Sequence, residues 1–411
     1  INQEDFLADN EHISELKLRA SWGETGNFEI PNYGAIGLLS PDNYNLGGVE
    51  RNGLIQSTIA NPELTWEKSQ QVNIGLELGL FNNRFFLLAD YYSTKTSDLL
   101  LNVSISSVSG FQSTLQNLGE VENSGFEIAL RTKNFVGDFS WDTDFNFSAN
   151  KNEVLSLNEN NEPIFSAGSA GIRHVTRVGD PIGSYYGYVV DGIYQNDAEI
   201  ANSPNDTQAP NPGPGDFRFK DINGDGQITP ADRTVTGNYF PDFTWGINNR
   251  FRYKNFDFSF LFQGVQGNEI LNLTSRHLKN GEANFNSYSI FNDRWRSASD
   301  PGNGLVPRAD RQSGNHGNNN RPSSFQVEDG SYTRLRNVTL GYTFPTKDLF
   351  GSSQIDRLRL YITGTNLFTN TDYLGYNPEV SNISTNSLTP GEDYGAYPLT
   401  RSFTVGLNLS F

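Results

Sequence analysis

The chain has 411 residues, of which 30 are Lys or Arg and 47 are Asp or Glu, so its formal net charge is −17. This acidic balance argues against nucleic-acid binding, which needs a basic face to displace counterions, and against a polybasic grip on anionic lipid headgroups. Cysteine is absent, which excludes disulfides, zinc–thiolate sites and thiol catalysis, and no run of 18 apolar residues predicts a transmembrane helix.

Along the chain, the dominant pattern is an alternation of apolar with polar residues. In the first such run, Val72, Ile74 and Leu76 alternate with Asn73 and Gly75. Because successive side chains of a β-strand point to opposite faces, each run predicts a strand with one apolar and one polar face. Strands are predicted in this way near residues 72–80, 85–91, 126–130, 139–147, 243–253, 256–262, 338–344, 358–362 and 403–411.

The connections between these runs are alternately short and long along much of the chain. Short hairpin turns are predicted at residues 82–83, 136–138 and 254–255. The long loops are rich in Gly, Asn, Ser and Pro, and they span about 24–63, 101–118, 154–183, 196–240, 267–330 and 370–396. Short turns on one side of a sheet and long loops on the other are typical of outer-membrane β-barrels.

The length and the ends of the strands favour a membrane barrel over a soluble β-sandwich. Strands of about 10–15 residues suit a tilted crossing of the lipid bilayer. Aromatic residues lie near strand ends, as interfacial girdles require: Trp66, Phe81, Tyr92, Trp141, Tyr253, Phe344 and Phe368. The predicted fold class is therefore all-β, an antiparallel transmembrane β-barrel. In a soluble sandwich, the apolar faces would instead pack against each other.

One segment fits a calcium-binding loop of the EF-hand type. The twelve-residue stretch 221–232 supplies oxygen ligands at positions one, three, five, seven (through a backbone carbonyl) and twelve, namely Asp221, Asn223, Asp225, Gln227 and Asp232. Gly226 permits the sharp turn, whereas Asp at position twelve and Pro230 depart from the usual pattern. We expect a structural Ca²⁺ that pins a long loop. The alternative is a turn rich in Asp, Asn and Gly that binds no metal.

A candidate substrate-binding group lies in the longest predicted loop. Trp295, which stands between two arginines, is close in sequence to Tyr288 and Asn286. Aromatic rings beside amides are suited to stacking on a sugar ring or contacting a peptide. In the alternative interpretation, which the pattern favours, Trp295 packs the loop against itself or against a partner.

The sequence predicts no enzyme. It contains no Ser-His-Asp set, P-loop or dinucleotide fingerprint, and its four histidines are far apart. Asp142 and Asp144 share one face of a predicted strand, and glycosidases use such pairs of carboxylates, but nothing places a general acid in a cleft. We interpret these two carboxylates as part of a hydrophilic wall.

Several motifs in chain order resemble one family, the SusC/RagA-like TonB-dependent outer-membrane transporters of Bacteroidetes. They include NPELTWEK at 61–68, GEVENSGFE at 119–127, VGDPIGSYYGY at 178–188, GDFRFKDINGDG at 215–226, the hairpin at 246–264, SYTRLRNVTLGY at 331–342 and LYITGTNLF at 360–368. Thr365 stands where the family usually has Gln. The final aromatic residue, Phe411, also resembles the signal by which outer-membrane barrels are recognised for assembly.

The resemblance implies a 22-stranded barrel with an N-terminal plug and a TonB-contact segment. Residues 1–411 would then form about the C-terminal 10–12 strands, with the calcium motif in an extracellular loop, 196–240. The chain begins at Ile1, without an initiator Met or a signal peptide. We therefore expect the plug, the TonB box and the first strands in another stretch of the native protein, because an open barrel would expose strand edges to lipid.

The implied function is TonB-dependent import of a nutrient across the bacterial outer membrane, with a SusD-like surface lipoprotein as partner. An oligosaccharide is the commonest substrate class of the family, and an oligopeptide is the alternative. The net charge favours neutral or cationic cargo. Two other functions stay open: a passive porin, and a secreted, calcium-stabilised β-rich adhesin or structural protein. The direction in which the apolar strand faces point would separate the adhesin from the transporter.

Overall fold

The architecture is that of a computed structural model, which describes residues 10–111, 113–157, 160–209, 211–279, 281, 286–309, 321–345, 351, 355–380 and 386–411. Parts of the predicted loops 101–118, 154–183, 196–240, 267–330 and 370–396 therefore lie outside the described residues. The strands, in chain order, are β1 (Ile13–Asn27), β2 (Leu39–Leu46), β3 (Val49–Gln56), β4 (Glu67–Leu80), β5 (Phe85–Ser97), β6 (Leu100–Ser104), β7 (Ser113–Asn117), β8 (Glu120–Phe135), β9 (Phe139–Ser156), β10 (Ile164–Gly168), β11 (Gly171–Thr176), β12 (Ser184–Gly187), β13 (Val190–Ile193), β14 (Asn205–Asp206), β15 (Phe217–Phe219), β16 (Gln227–Ile228), β17 (Thr234–Gly237), β18 (Phe243–Tyr253), β19 (Phe256–Gln266), β20 (Glu269–Asn272), β21 (Val327–Asp329), β22 (Tyr332–Phe344), β23 (Arg357–Thr371), β24 (Glu392–Asp393) and β25 (Ser402–Ser410).

Helical segments are few and short. Within the described part of the long loops there are two α-helices, α1 (Asp197–Ala201) and α2 (Ser275–Leu278). The 3₁₀ turns are Ser107–Ser109, Pro230–Asp232, Ser289–Asp293 and Ser324–Gln326. None of the described helices has the length and apolar character needed to cross a bilayer.

Ten strands form one antiparallel sheet, which we call the wall. Its order is β1-β4-β5-β8-β9-β18-β19-β22-β23-β25, and within the described residues β1 and β25 form its two edges. The nine strands predicted from alternation all lie in this sheet, and the predicted antiparallel all-β fold is confirmed. The tenth strand, β1, was not predicted, although Leu16, Leu18 and Trp22 alternate in it.

The two faces of the wall differ in polarity. The pairing places Ile74 beside Tyr91 and Tyr91 beside Phe126, so apolar side chains line up across neighbouring strands. This apolar face is open: Ile74 is 56 % exposed and Phe126 is 57 % exposed. The opposite face, which we call the polar face, carries Asn73 and Glu77 with their neighbours. The strands therefore have the two-faced character of a wall between lipid and water.

The predicted short turns close the hairpins at one end of the wall. Phe81, Asn82 and Asn83 adopt positive φ angles between β4 and β5, and Lys254 does so between β18 and β19. Gly137, with φ of 145°, occupies a conformation open to glycine alone at the turn between β8 and β9. All three predicted short turns are present between the strands that they were expected to connect.

Aromatic rings collect on the apolar face near these turns. The rings of Trp141 and Phe251 stack with centroids 5.6 Å apart, and Phe135 stacks on Trp141 at 5.8 Å. The Trp141 indole Nε1 donates to Asn249 Oδ1 at 2.8 Å, which satisfies its polar edge. The prediction for Tyr92 was wrong: its register places it on the polar face, where its hydroxyl donates to Asn150 Oδ1.

The buried core of the chain lies at the end of the wall opposite the short turns. The described residues between β9 and β18, between β19 and β22, and between β23 and β25 pack into one body, which we call the loop layer. It contains the small sheets β10-β11-β12-β17 and β21-β20-β24. The Tyr185 hydroxyl lies between two of its segments, with the carbonyl oxygens of Glu269 and Gly391 at 2.9 Å and 3.1 Å, and its single O–H is shared between these two acceptors. The long loops are thus folded structure built on a barrel wall.

Candidate functional site

A groove runs along the polar face at the middle of the wall, and we call it the central groove. Two adjoining cavities of about 290 Å³ and 500 Å³ form it, and both are lined by Leu88, Ala129, Asn146, Gly246 and Leu261. Gly246 keeps this surface low, because a Cβ at that position would meet Asn146 Oδ1 at 2.4 Å. The groove therefore has an apolar floor within an otherwise polar wall, the combination found in many ligand sites.

Carboxylates border the end of the central groove nearer the loop layer. Asp90 and Glu127 are direct partners across β5 and β8. Asp90 accepts two hydrogen bonds from Arg19 NH2, each 3.0 Å long, whereas Glu127 forms no ion pair within the part of the chain that the structure describes. This rim presents acceptors and negative charge to whatever occupies the groove.

The other border of the central groove is an ion-pair ladder. Asp144 on β9 lies between two guanidinium groups, with its Oδ1 3.0 Å from Arg131 Nε and its Oδ2 2.5 Å from Arg250 NH2. Asp142, its neighbour in the discounted glycosidase pair, is on the same face, opposite Lys133. These carboxylates belong to a charged wall, as the sequence predicted.

A separate cavity of about 480 Å³ lies on the polar face near the short turns, and we call it the basic groove. Its charged lining consists of Arg250, Arg252, Lys254, Asp257, Arg357 and Arg359. Five of these six side chains are basic, in a chain whose net charge is −17. The polar face thus changes from acidic near the loop layer to basic near the turns.

The predicted calcium loop forms a tight turn in the loop layer. Asp221 accepts hydrogen bonds from the backbone N–H groups of Gly224 (2.7 Å) and Gly226 (2.8 Å), and both glycines have positive φ. Asn223 Nδ2 donates to Asp225 Oδ2 at 3.0 Å. The side chains at positions one, three and five therefore face a common turn, as they do in calcium loops.

Position twelve of this loop has a separate structural role. The fully buried Asp232 accepts hydrogen bonds from the N–H groups of Ile222 (2.9 Å) and Thr229 (2.7 Å), and it completes a capping box with Thr229. Burial favours a higher pKa for this carboxyl, but the hydrogen bonds from Thr229, Ile222 and Asn223 lower its pKa below the ordinary value. No group of three or more His, Cys, Asp or Glu side chains in the described chain is arranged to hold a metal ion. The Asp232 carboxylate therefore stabilises the turn through its own hydrogen bonds.

Trp295 packs into a buried cluster of the loop layer. It lies against the group formed by Tyr188, Ile193, Phe217, Phe219 and Ile228. Its indole Nε1 donates to Gln195 Oε1 at 3.2 Å, and a Cβ at Gly215 would meet its ring at 2.4 Å. These contacts are those of a packing residue, the interpretation that the sequence favoured.

Tyr288 and Asn286 have other surroundings than Trp295. Asn286 is exposed, and Tyr288 is half-buried where the electrostatic influence of Glu328 reaches it. Burial, followed by that carboxylate, raises the pKa of the Tyr288 hydroxyl above its usual value. The three predicted substrate-binding residues therefore do not share one set of contacts, and a role for them in binding stays a prediction.

The floor of the central groove was not found from the sequence. Leu88 and Leu261 occupy polar-face positions of strands whose other face is also apolar. The available signal was the break in alternation, with four consecutive large apolar residues at 85–88 and three at 260–262. Such a run predicts a strand that is apolar on both faces at that height.

Comparison with known proteins places this architecture among related chains. Residues 10–163 match the family model described as TonB dependent receptor-like, beta-barrel. TonB-dependent receptor P3 of Formosa agariphila is 39 % identical over an alignment that covers 100 % of this chain and 40 % of the relative. TonB-dependent receptor SusC of Bacteroides thetaiotaomicron is 29 % identical and covers 100 % of this chain and 39 % of its own length.

Solved structures give the same picture of the fold. The RagAB peptide importer in the 'closed-closed' state matches with a TM-score of 0.77 and 25 % identity, over 99 % of this chain and 42 % of that chain. The structure described as the RagAB peptide transporter matches with a TM-score of 0.79 at 24 % identity, over 99 % of this chain and 42 % of that chain. The chain spans about two fifths of the length of the relatives that it matches.

Proposed function

We propose that this chain serves the energised import of a nutrient across the outer membrane. It belongs to the SusC/RagA-like TonB-dependent receptors, and it forms the C-terminal part of their outer-membrane β-barrel. The barrel wall would bound the path of the nutrient, and the loop layer would cover its extracellular end. Energy would come from TonB acting on an N-terminal region of the whole receptor.

The observation that carries this proposal is the opposite character of the two faces of the wall. Ile362 and Leu407 are 46 % and 59 % exposed on the apolar face, where lipid would cover them. The polar face holds the two grooves and the ion pairs. In the adhesin alternative, the apolar faces would pack against each other, and on the described strands they are exposed. The arrangement therefore favours a barrel around an aqueous path.

We propose an oligosaccharide or an oligopeptide as the substrate class. The central groove offers an apolar floor between carboxylate acceptors, Asp90 and Glu127, and the amide of Gln263. Such a lining suits neutral or cationic cargo with many hydrogen-bonding groups, and both substrate classes meet that description. The name of RagAB as a peptide importer supports the oligopeptide, and the SusC likeness supports the same transport class.

We also propose that the receptor works with a SusD-like surface lipoprotein, which would hold the ligand against the loop layer. The barrel itself would carry out no covalent chemistry, in keeping with relatives that are named receptors and transporters. Its work would be to bind, enclose and release the nutrient.

The direct test is mass spectrometry of the full-length receptor purified in mild detergent from native outer membranes. We expect a co-purifying surface lipoprotein and a retained glycan or peptide, whose identity would decide the substrate class. Recovery of the chain without detergent, alone and with no ligand, would contradict both the transport function and the partner.

We propose, separately, that Ca²⁺ stabilises the loop at 221–232. Asp221, Asn223 and Asp225 would hold the ion, with the carbonyl of Gln227, and Asp232 would contribute only through lone pairs that its backbone hydrogen bonds leave open. In this arrangement the ion fixes one turn of the loop layer and takes no part in transport chemistry.

Hydrogen exchange on the full-length receptor tests the calcium proposal. After treatment with EDTA, addition of Ca²⁺ should slow the exchange of amides 221–232 severalfold, and Mg²⁺ should not. The Asp225→Asn variant should lose this protection, and Asp197→Asn, in the same long loop but outside the motif, should keep it. Exchange that is unchanged at millimolar Ca²⁺ would leave the alternative, a metal-free turn rich in Asp, Asn and Gly.

A further inference from the structure

We propose that the basic groove binds an acidic segment of polypeptide held inside the barrel. This inference rests on the proposed function, since it takes the polar face to line a lumen. It adds a docking surface near the short turns and the charge of the segment that fits it.

The geometry of the groove comes from four neighbouring strands. β18 contributes Arg250 and Arg252, and β23, which is separated from β18 by two strands, contributes Arg357 and Arg359. The two strands between them, β19 and β22, contribute Asp257 as their only charged side chain in the described lining. Basic side chains therefore flank a nearly uncharged floor.

Gly341 explains how one of these arginines crosses the floor. It lies between Asp257 on β19 and Tyr361 on β23 in the pairing of β22. A Cβ at Gly341 would meet Arg359 NH2 at 2.4 Å and Asp257 Oδ1 at 2.6 Å. Without a side chain at this position, Arg359 reaches over β22, and its Nε donates to Asp257 Oδ1 at 2.8 Å.

The charges of the groove do not balance. Asp257 pairs with Arg359, and Asp144 is shared between Arg250 and Arg131. Arg252, Lys254 and Arg357 are exposed, and none of them forms an ion pair with another residue in the described part of the chain. Arg252 and Arg357 are also close enough to act electrostatically on the same carboxylate, Asp257. The Lys254 ammonium lies over the Tyr253 ring, 5.4 Å from its centroid, so Arg252 and Arg357 are the two charges of the described lining that remain without a partner from this wall.

The groove lies on the polar face of the wall, and this position argues for polypeptide and against lipid as its occupant. At the same height, the apolar face carries Leu340 and Leu360, which are 47 % and 43 % exposed and do not line the groove, so lipid would contact those side chains. Arg252 alternates with Phe251 along β18 and points to the opposite side. Guanidinium groups bind carboxylates through paired hydrogen bonds, which makes Asp and Glu side chains the matching partners. A phospholipid headgroup at the rim is the rival occupant.

Site-specific photocrosslinking in the full-length receptor, in native outer membranes, separates these occupants. A benzoylphenylalanine in place of Arg252 should form an adduct with a peptide of the receptor that contains two or more Asp or Glu residues. The same group in place of Leu340, which is 47 % exposed on the apolar face and does not line the groove, should form adducts with lipid and so serves as the positive control for the photochemistry. Lipid adducts alone at both positions, or a peptide adduct without carboxylates, would overturn the proposal.

A charge-reversal pair gives an independent measurement. The double variant Arg252→Glu, Arg357→Glu should increase protease cleavage of the crosslinked segment severalfold in the assembled receptor. Substitution of Lys for the acidic residues of that segment, in the same double variant, should restore protection. Arg336→Glu, near the loop layer, is the matched control and should leave cleavage unchanged. Equal cleavage in all variants would contradict the docking surface and would not affect the proposed transport, because ligand retention is measured separately.

Discussion

Arg321 and Asp206 form a two-pronged ion pair inside the loop layer, although 115 residues separate them in sequence. Arg321 NH1 lies 3.1 Å from Asp206 Oδ1, and NH2 lies 2.8 Å from Oδ2. The guanidinium also covers the ring of Phe219, with 4.8 Å between its carbon and the ring centroid. The pair therefore joins two segments of the layer at the edge of its buried cluster.

We predict that Arg321→Ala destabilises this part of the loop layer by about 3–5 kcal/mol, because the substitution leaves the carboxylate of Asp206 buried without its partner. Hydrogen exchange of residues 188–233 in the purified receptor would measure the loss. The control is Arg296→Ala, which removes an exposed pair with Asp300 and should cost at most about 0.5 kcal/mol. Equal protection in both variants would contradict the prediction.

Asp232 gives the loop at 221–232 a dependence on pH. Its pKa in the folded chain is lowered, since hydrogen bonds from Thr229 and Ile222 outweigh the effect of burial. A carboxyl with a lowered folded pKa stabilises the fold above its unfolded pKa, and this stabilisation is lost as the pH falls through the folded value. We expect pepsin to cleave the loop increasingly as the pH falls below about 4, near the ordinary Asp value.

The Asp232→Asn variant is the control for this titration. It removes the ionisable group and leaves one of the backbone donors without an acceptor, at a cost of about 1–3 kcal/mol. Its loop should therefore be cleaved readily across the whole range, without a step in pH. A step that persists in the variant would assign the titration to another group.

The sequence predicted the wall better than the site, for a physical reason. Alternation in runs such as 72–80 is set by a single strand between lipid and water, so local pattern suffices to find it. The floor formed by Leu88 and Leu261 depends on which strands become neighbours, and the crossing of Arg359 to Asp257 depends on Gly341 of a third strand. These contacts depend on the order and pairing register of the strands, which cannot be inferred from the residue pattern of a single sequence.

The calcium loop illustrates the same limit at a smaller scale. The spacing of Asp221, Asn223 and Asp225 predicted a Ca²⁺ loop with a sharp turn at Gly226; Gly226 has a positive φ, as does Gly224, and the bound ion stays a prediction. The spacing did not reveal that Asp232 would be fully buried as a cap, because that burial comes from the surrounding loop layer. Trp295, by contrast, was favoured as a packing residue, and its contacts with the buried cluster agree.

The opposite character of the wall's faces leads to a prediction about assembly. Ile74→Arg places a charge on the apolar face of β4, at a cost of about 2–4 kcal/mol if the position lies near the middle of the bilayer. Asn73→Arg, one residue away on the polar face, should cost little. Heat-modifiable mobility and the level of receptor in outer membranes would measure both. Similar losses for the two variants would contradict the assignment of the faces.

The central groove provides the last prediction, which concerns transport. Leu261→Trp would fill the floor between Leu88 and Gly246. We expect the uptake rate of the retained ligand to fall at least tenfold, which corresponds to a loss of about 1.4 kcal/mol in the free energy that favours binding or transport through the groove. Phe260→Trp places the same Trp side chain at the neighbouring position on the apolar face and should transport normally. Because both variants keep the alternation of β19, comparable receptor levels are expected, and uptake can be compared per receptor. Normal uptake by Leu261→Trp would mean that the nutrient does not pass along this groove, whereas a loss in both variants would point to a general disturbance of the strand.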